Sequence, residues 1–587
     1  MNPKATTFRI FGYIWPFGVS LLLGCCGLYL FTILLFFLGV SITPWHGLAF
    51  VVTALLSAIA NVQGQRIQRF KKAITIVLLQ LFLCGLLAGI ASRLDELTVD
   101  SMWARIEPVI NVMAGWNPVQ DPKFSERAKL EEKHPLLKGG SNSQLSAGTI
   151  LAGYLACLTG EVNAGKAVTP ILGLAAWGIT FGGVSALAVP IGWALALATL
   201  AAMNPVILYQ SSSYYIDGNV AALFTAALFA GIRFLVRQGE KGGLTAFFPS
   251  LVLLAAAKTS GIFYGGILFC LIAILWLFQH PKKTLALGIL AATLLTIIAL
   301  SFFFREQGRF TRISFDYLRT GTAFDEGKNQ HSFRRWAPGL GADDKPTRIQ
   351  VFFRSHFAPT AALTGKKVSI KFPFWFSRPE LAVFEDLSPQ PYIGGFGPLY
   401  GAFFVLSALS LLLLRTRPPL ISWLPLLGSV STIYFSQLWW ARWTPQAWLI
   451  PFGFLLPVIC SFQGQPPAKK WIWPFVAAFV GLLNSILILA FYTSGCIQTQ
   501  KTLKSQLAYL KTLPQPLQVY MPDFPANRIF FIRDKMAFES IRQAPPRPRL
   551  KLHRTSTFVA LPSGTDPQTQ VDPSVWANWK KRKLIEP

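Results

Sequence analysis

Apolar residues in this chain gather in long unbroken runs at roughly 9–41, 46–63, 73–92, 163–183, 186–203, 217–236, 244–257, 261–279, 284–304, 395–414, 419–437, 445–462 and 471–494. About 20 such residues wound as a helix cross the hydrocarbon of a bilayer. The pattern therefore predicts an all-α polytopic membrane protein with about thirteen transmembrane helices. The run 244–257 is short for a span. Residues 149–160 (TILAGYLACLTG) are too short to span and predict an interfacial helix lying on the membrane surface.

Three hydrophilic pieces interrupt or follow these runs: 93–148, 305–394 and 495–587. The division expected is a membrane domain over 1–494, with 93–148 and 305–394 as its large loops, and a C-terminal domain over 495–587. In the tail, QVYMP (518–522), NRIFFIR (527–533) and STFVALP (556–562) alternate like short strands, after a helix-like KTLKSQLAYLKTL (501–513). A small α/β domain follows from that pattern. APPRPRL (544–550) reads as a turn or linker.

Charge gives the runs a direction. With the N-terminus in the cytoplasm, the inside loops become QRIQRFKK (65–72), RQGEKGG (237–243), HPKK (280–283), RTRPP (415–419) and QPPAKK (465–470), and every one is basic, as cytoplasmic loops are. The three hydrophilic pieces and the C-terminus then lie outside. The tail itself carries an excess of Lys and Arg, but long domains translocate largely regardless of charge. The 587 residues are 52% hydrophobic and only 14% charged, against about 25% in soluble domains. A net charge of +28 fits basic loops beside anionic lipid, and no nucleic-acid-binding motif is present. Six of the seven cysteines sit inside apolar runs and Cys496 at the end of one, so no disulfide or metal framework follows. MNPKATTFRI leads into a run too long for a signal-peptide core, which reads as a retained first helix.

Candidate chemistry collects on the outside. Asp217, in SSSYYIDGNV (211–220), falls at the outer end of a run, and Asp100, in RLDELTVDSMWARIEP (93–108), follows the third run on the same side. A carboxylate there avoids the cost of about 2.5–3.5 kcal/mol at the bilayer centre. Each is equally readable as a helix cap, Asp217 for a helix starting at Gly218 and Asp100 for one over 101–107. Lys258 stands in a tight turn, AAAKTSGIFYGG (255–266), and Arg442 among tryptophans in QLWWARWTPQAW (437–448). Fixed cations suit a phosphate, while a snorkelling lysine and an interfacial tryptophan belt are the plainer alternatives. The basic, aromatic stretch 305–394 reads either as a cover over the site or as a partly disordered lid.

The stretches TVDSMWARIEPVINVMAGWNP (98–118), LTGEVNAGKAVTPIL (158–172), YYIDGNVAAL (214–223), AKTSGIFY (257–264), YIGGFGPLYG (392–401) and WWARWTPQAW (439–448) resemble, in this order, the bacterial GT-C glycosyltransferases related to the aminoarabinose and protein mannosyl transferases. The resemblance covers roughly 70–490. It implies a GT-C-like fold in the bacterial inner membrane and a polyprenyl-phosphate sugar donor. The acceptor it implies is an envelope glycan, lipid or protein on the outer face. Asp100 and Asp217 would be the catalytic carboxylates, one of them taking the acceptor's proton. Lys258 or Arg442 would stabilise the leaving phosphate, with Glu107, Lys133, His134 and Lys138 in the substrate-binding set. The family's lysine-proline or tyrosine-proline-lysine motif is replaced here by EEKHPLLKGGSNSQ (131–144), so the roles of Lys133, His134 and Lys138 stay open. His134 also reads as a solvated loop residue. A divalent metal between Asp100 and Asp217 is a further open expectation. Three other functions compete: a ligase moving a whole lipid-linked glycan, a transporter or flippase of lipid-linked sugars, and a membrane scaffold. The lack of an internal repeat weighs against the transporter.

Overall fold

The computed structural model describes residues 11–98, 101–121, 146–237, 241–279, 347–361, 368–386, 391, 393–414, 417–433, 440–462, 471–522, 525–546, 548–562 and 567–586. The chain is mostly helical, with a small sheet at its C-terminal end. Among the described residues, 7 helices are long and apolar enough to cross a membrane: Ile14–Phe37, Pro44–Asn61, Arg66–Ser92, Val162–Ala186, Asp217–Val236, Ser260–Gln279 and Ile472–Thr512. Five further runs expected to span are shorter apolar helices, Ile191–Ala202, Gly242–Ala257, Tyr400–Leu413, Leu420–Ile433 and Pro445–Ser461. The run 284–304 lies outside the described residues.

Proline and glycine account for the shortening. Pro190 precedes the first turn of Ile191–Ala202, and Pro445 opens a 3-10 turn before Ile450–Ser461. Both restrict where regular helix can begin. Gly394 and Gly397, at φ +61° and +95°, turn the chain just before Tyr400, a backbone that favours glycine.

Val168–Ala186 and Asp217–Val236 pack on each other at the centre and are buried along almost all of their length. Arg66–Ser92 stands at the rim, where Leu78, Phe82, Leu86 and Ile90 are exposed. An apolar stripe facing outward is what a lipid environment asks of a helix. Residues 149–160 differ from expectation. They form the helix Ala147–Thr159, capped by Ser146, and residues 147–154 are all buried rather than laid on a surface. That helix packs on Ile106–Met113 and on the turn Val162–Ala167; small Ala and Gly side chains allow the close approach.

At the C-terminal end five strands, β1 (Leu517–Tyr520), β2 (Phe538–Ser540), β3 (Arg549–Lys551), β4 (Phe558–Ala560) and β5 (Ile585–Glu586), form a sheet in the order β2-β1-β4-β3-β5. β1 and β2 are parallel and the other pairs antiparallel. The segment 527–533, expected as a strand, is a short helix, Arg528–Arg533, with Ile529, Phe530 and Phe531 buried. The helix Ile472–Thr512 has 41 residues and runs through position 494 unbroken. Its last turns belong to the small domain's core: Gln506 donates to Lys551 O at 2.9 Å and accepts from His553 N at 2.7 Å, and Tyr509 packs edge-on against buried Trp579.

Candidate active site at the domain-bearing end of the bundle

Asp217 is the first residue of Asp217–Val236, and Ile216 occupies the cap position without a side-chain bond. The carboxylate therefore does not cap. It accepts from Lys258 Nζ at 2.6 Å through Oδ1, and faces Arg442 Nε and Gln210 Nε2, each at 3.5 Å, through Oδ2. Asp217 and Arg442 are buried and Lys258 nearly so. Arg105 adds a further positive charge that reaches Asp217.

Each partner is delivered by a specific local feature. Lys258 sits in the one-residue break between Lys241–Ala257 and Thr259–Gln279. The break is tight because Gly261 lacks a side chain: a Cβ there would stand 2.0 Å from Leu254 O. Arg442 lies in a turn fixed from several sides. Tyr264 donates to Trp443 O at 2.8 Å, Asn204 to Pro445 O at 2.9 Å, Tyr400 to Ala447 O at 2.9 Å, and Trp448 Nε1 to Leu200 O at 2.9 Å. Aromatic faces line the cations. Arg442 stacks 4.3 Å from the Trp440 centroid and 5.1 Å from Tyr215, and Lys258 lies 4.6 Å from Trp443, distances at which a ring quadrupole attracts a cation.

Glu96 and Ser101 close against the turn that carries Asp217. Tyr214 N donates to Glu96 Oε2 at 3.0 Å and lies 3.1 Å from Ser101 Oγ. Burial pushes the Glu96 carboxyl up, against the opposing pull of Lys166 and of hydrogen bonds from Thr98 and Tyr214. Lys166 is buried and donates to Leu94 O. Asp95 pairs with Arg533 of the small domain and accepts from Asn163 at 3.4 Å.

Sequence reading brings Asp217, Lys258 and Arg442 to one outer site, and the structure joins them directly. Asp100, Lys133, His134 and Lys138 lie outside the described residues. Glu107 goes elsewhere: both of its oxygens accept from Arg528, at 3.0 and 3.1 Å, in a buried pair that ties the small domain to the bundle. Arg105, Gln210, Tyr215 and Glu96 were not among the expected residues. Arg105, Tyr215 and Glu96 do lie inside stretches singled out above, whereas nothing in the sequence marks Gln210.

The surroundings can still take a polar ligand. Tyr209 Oη, which lies in the field of Asp217 and Arg442, is buried without a hydrogen-bond partner. So are Trp443 Nε1 and both polar atoms of the Gln446 amide, in the turn that holds Arg442. A buried polar group left unpaired costs about 1–3 kcal/mol, so a ligand that met these groups would recover it. A divalent metal fits poorly at Asp217, whose carboxylate already faces two cations that would repel it. Among the described residues no three His, Cys, Asp or Glu side chains gather at ligand spacing. Comparison with family models, curated proteins and solved structures found no match to this chain.

Proposed function

We propose that the protein is a glycosyltransferase of the bacterial inner membrane that moves a sugar from a polyprenyl-phosphate donor to an envelope glycan, lipid or protein on the outer face, in a GT-C-like fold. The observation that supports this reading most is the buried Lys258–Asp217–Arg442 cluster at the end of a spanning helix, ringed by aromatic faces and unpaired donors. The end of a spanning helix lies near the headgroup layer, where a lipid's phosphate sits.

In this reading the acceptor hydroxyl attacks the anomeric carbon and its proton passes to a carboxylate. The bond from that carbon to the phosphate oxygen breaks, and polyprenyl phosphate leaves with the electron pair. Lys258 and Arg442 meet the charge gathering on that phosphate. Asp217 is already engaged by two cations, and its part is to hold them in register. The proton then falls to Asp100. Tryptophan and tyrosine faces suit the apolar face of a sugar ring as well as the cations they already hold.

The test is transfer from a panel of radiolabelled polyprenyl-phosphate sugars, with purified protein in lipid and a membrane extract as acceptor. Wild type should move label, and Asp100→Asn and Asp217→Asn should not. Label that stays on every donor while the protein remains folded would defeat the reading, and competition by a polyprenyl-diphosphate oligosaccharide would turn it towards a ligase.

A further inference from the structure

The helix Asp217–Val236 has a second charged residue near its other end, Arg233. It is separated from Asp217 by sixteen residues, or about 24 Å of helix rise. There a cavity of about 760 Å³ opens between the beginnings of Ile14–Phe37 and Arg66–Ser92 and the ends of Gly47–Asn61, Val168–Ala186 and Asp217–Val236. We propose that this cavity binds the phosphate headgroup of an anionic phospholipid from the leaflet on that side, at a site separate from the candidate active site.

Two cations face it. The Arg233 guanidinium lies 4.3 Å from the Trp15 ring centroid and donates to Gly182 O at 3.3 Å. Lys72 Nζ lies 5.6 Å from the Tyr13 centroid and donates to Gln63 O at 3.2 Å. No Asp or Glu is among the described residues lining the cavity. Two positive charges at the end of a lipid-facing bundle, with no carboxylate among the described lining residues, are matched by an anion from the headgroup layer. The hydroxyl of Ser185, also in the lining, is buried without a hydrogen-bond partner and offers a neutral donor to the same anion.

The lining argues for a lipid rather than free phosphate. The cavity is much larger than a phosphate ion, and the rings of Phe11, Tyr13, Trp15 and Phe181 supply apolar wall beside the cations. Aromatic rings that are apolar along the body and polar at the edge favour the membrane–water interface.

Full-length protein reconstituted in nanodiscs of phosphatidylcholine with a rising fraction of phosphatidylglycerol tests this, with retained lipid counted by native mass spectrometry. Wild type should hold one phosphatidylglycerol in preference to phosphatidylcholine. Lys72→Gln should weaken that hold about fivefold, as loss of one basic residue at a membrane surface does, and Lys72→Gln with Arg233→Gln should abolish it. Excess inorganic phosphate should leave the lipid in place. Equal retention of both lipids by wild type, or equal retention by wild type and Lys72→Gln, would overturn the proposal. Displacement by inorganic phosphate would overturn the lipid assignment and make this a site for a soluble phosphate. Should Arg233→Gln fail to fold, the partly exposed Lys72→Gln still decides.

Discussion

Glu107 and Asp217 are both buried acids that face an arginine at the same end of the molecule, yet they are held in different ways. Glu107 meets Arg528 with both oxygens at 3.0 and 3.1 Å, and each side chain is 3% exposed. That two-pronged geometry is the strong form of the contact. Asp217 meets Lys258 squarely at 2.6 Å and faces Arg442 Nε and Gln210 Nε2 at the longer distance of 3.5 Å, with the unpaired polar groups of Tyr209, Trp443 and Gln446 nearby. A fully satisfied pair between two domains acts as a fastening. A longer contact, wrapped in aromatic faces and set beside unpaired polar groups, has room to exchange partners with a ligand. The comparison teaches that burial and charge alone do not single out a candidate site; the geometry of the contact and the unpaired polar groups beside it do.

The largest effect that could break this contrast is at Asp217. Asp217→Asn should lower transfer by about 10²–10⁴-fold in protein that still folds and inserts, although the stranded Lys258 and Arg442 lower its unfolding midpoint. A variant that loses its fold instead would place Asp217 beside Glu107 as a fastening. Next in size is Arg528→Ala, which strands Glu107 in the interior and should cost about 3–5 kcal/mol. Limited proteolysis should then release the C-terminal domain, and Glu107→Leu together with Arg528→Met should restore much of its protection, since a well-packed apolar pair can replace a buried ion pair.

A smaller effect concerns His553, which burial and the neighbouring Arg582 pull down to about 4; Arg582 Nη1 lies 3.3 Å from its Nε2. The folded domain therefore disfavours the proton that an unfolded histidine accepts near pH 6.5. Its contribution is complete above pH 6.5 and is lost as pH falls towards 4, on the order of 2–3 kcal/mol across that window. Urea unfolding of the full-length protein followed by C-terminal proteolysis should show this slope, and His553→Gln should flatten it. The smallest effect is at Lys511–Asp534, 3.0 Å apart but with the lysine half exposed. Lys511→Ala should change stability by less than about 1 kcal/mol; a larger loss would mean that exposure is the wrong axis for ranking these pairs.

How far the chain could be read beforehand follows the range of the interactions. Hydropathy locates helices because it is a local property, and it overestimates spans where proline or glycine ends regular helix inside an apolar run, as before Ile191 and Tyr400. Asp217, Lys258 and Arg442 are legible as a group because each stands where an apolar run breaks on the same side, so topology alone brings them near one another. The partner of Glu107 is not legible: Arg528 lies 421 positions away, and its tail segment alternates well enough to pass for a strand. Only folding it as a helix lets Arg528 and Arg533 both turn towards the bundle, where Glu107 and Asp95 await them.

The helix Ile472–Thr512 carries a consequence of a mechanical kind. Its 41 residues extend for about 60 Å, roughly twice the thickness of the hydrocarbon layer. A flexible tether would fix only the distance of the small domain from the membrane, but a continuous helix also fixes its azimuth. One residue added near Thr499 would raise the domain by about 1.5 Å and swing it by about 100°, taking Arg528 and Arg533 out of alignment with Glu107 and Asp95 together. The helix thus serves as a keyed shaft, in which rotational phase, as much as reach, brings the two parts of the molecule into mesh.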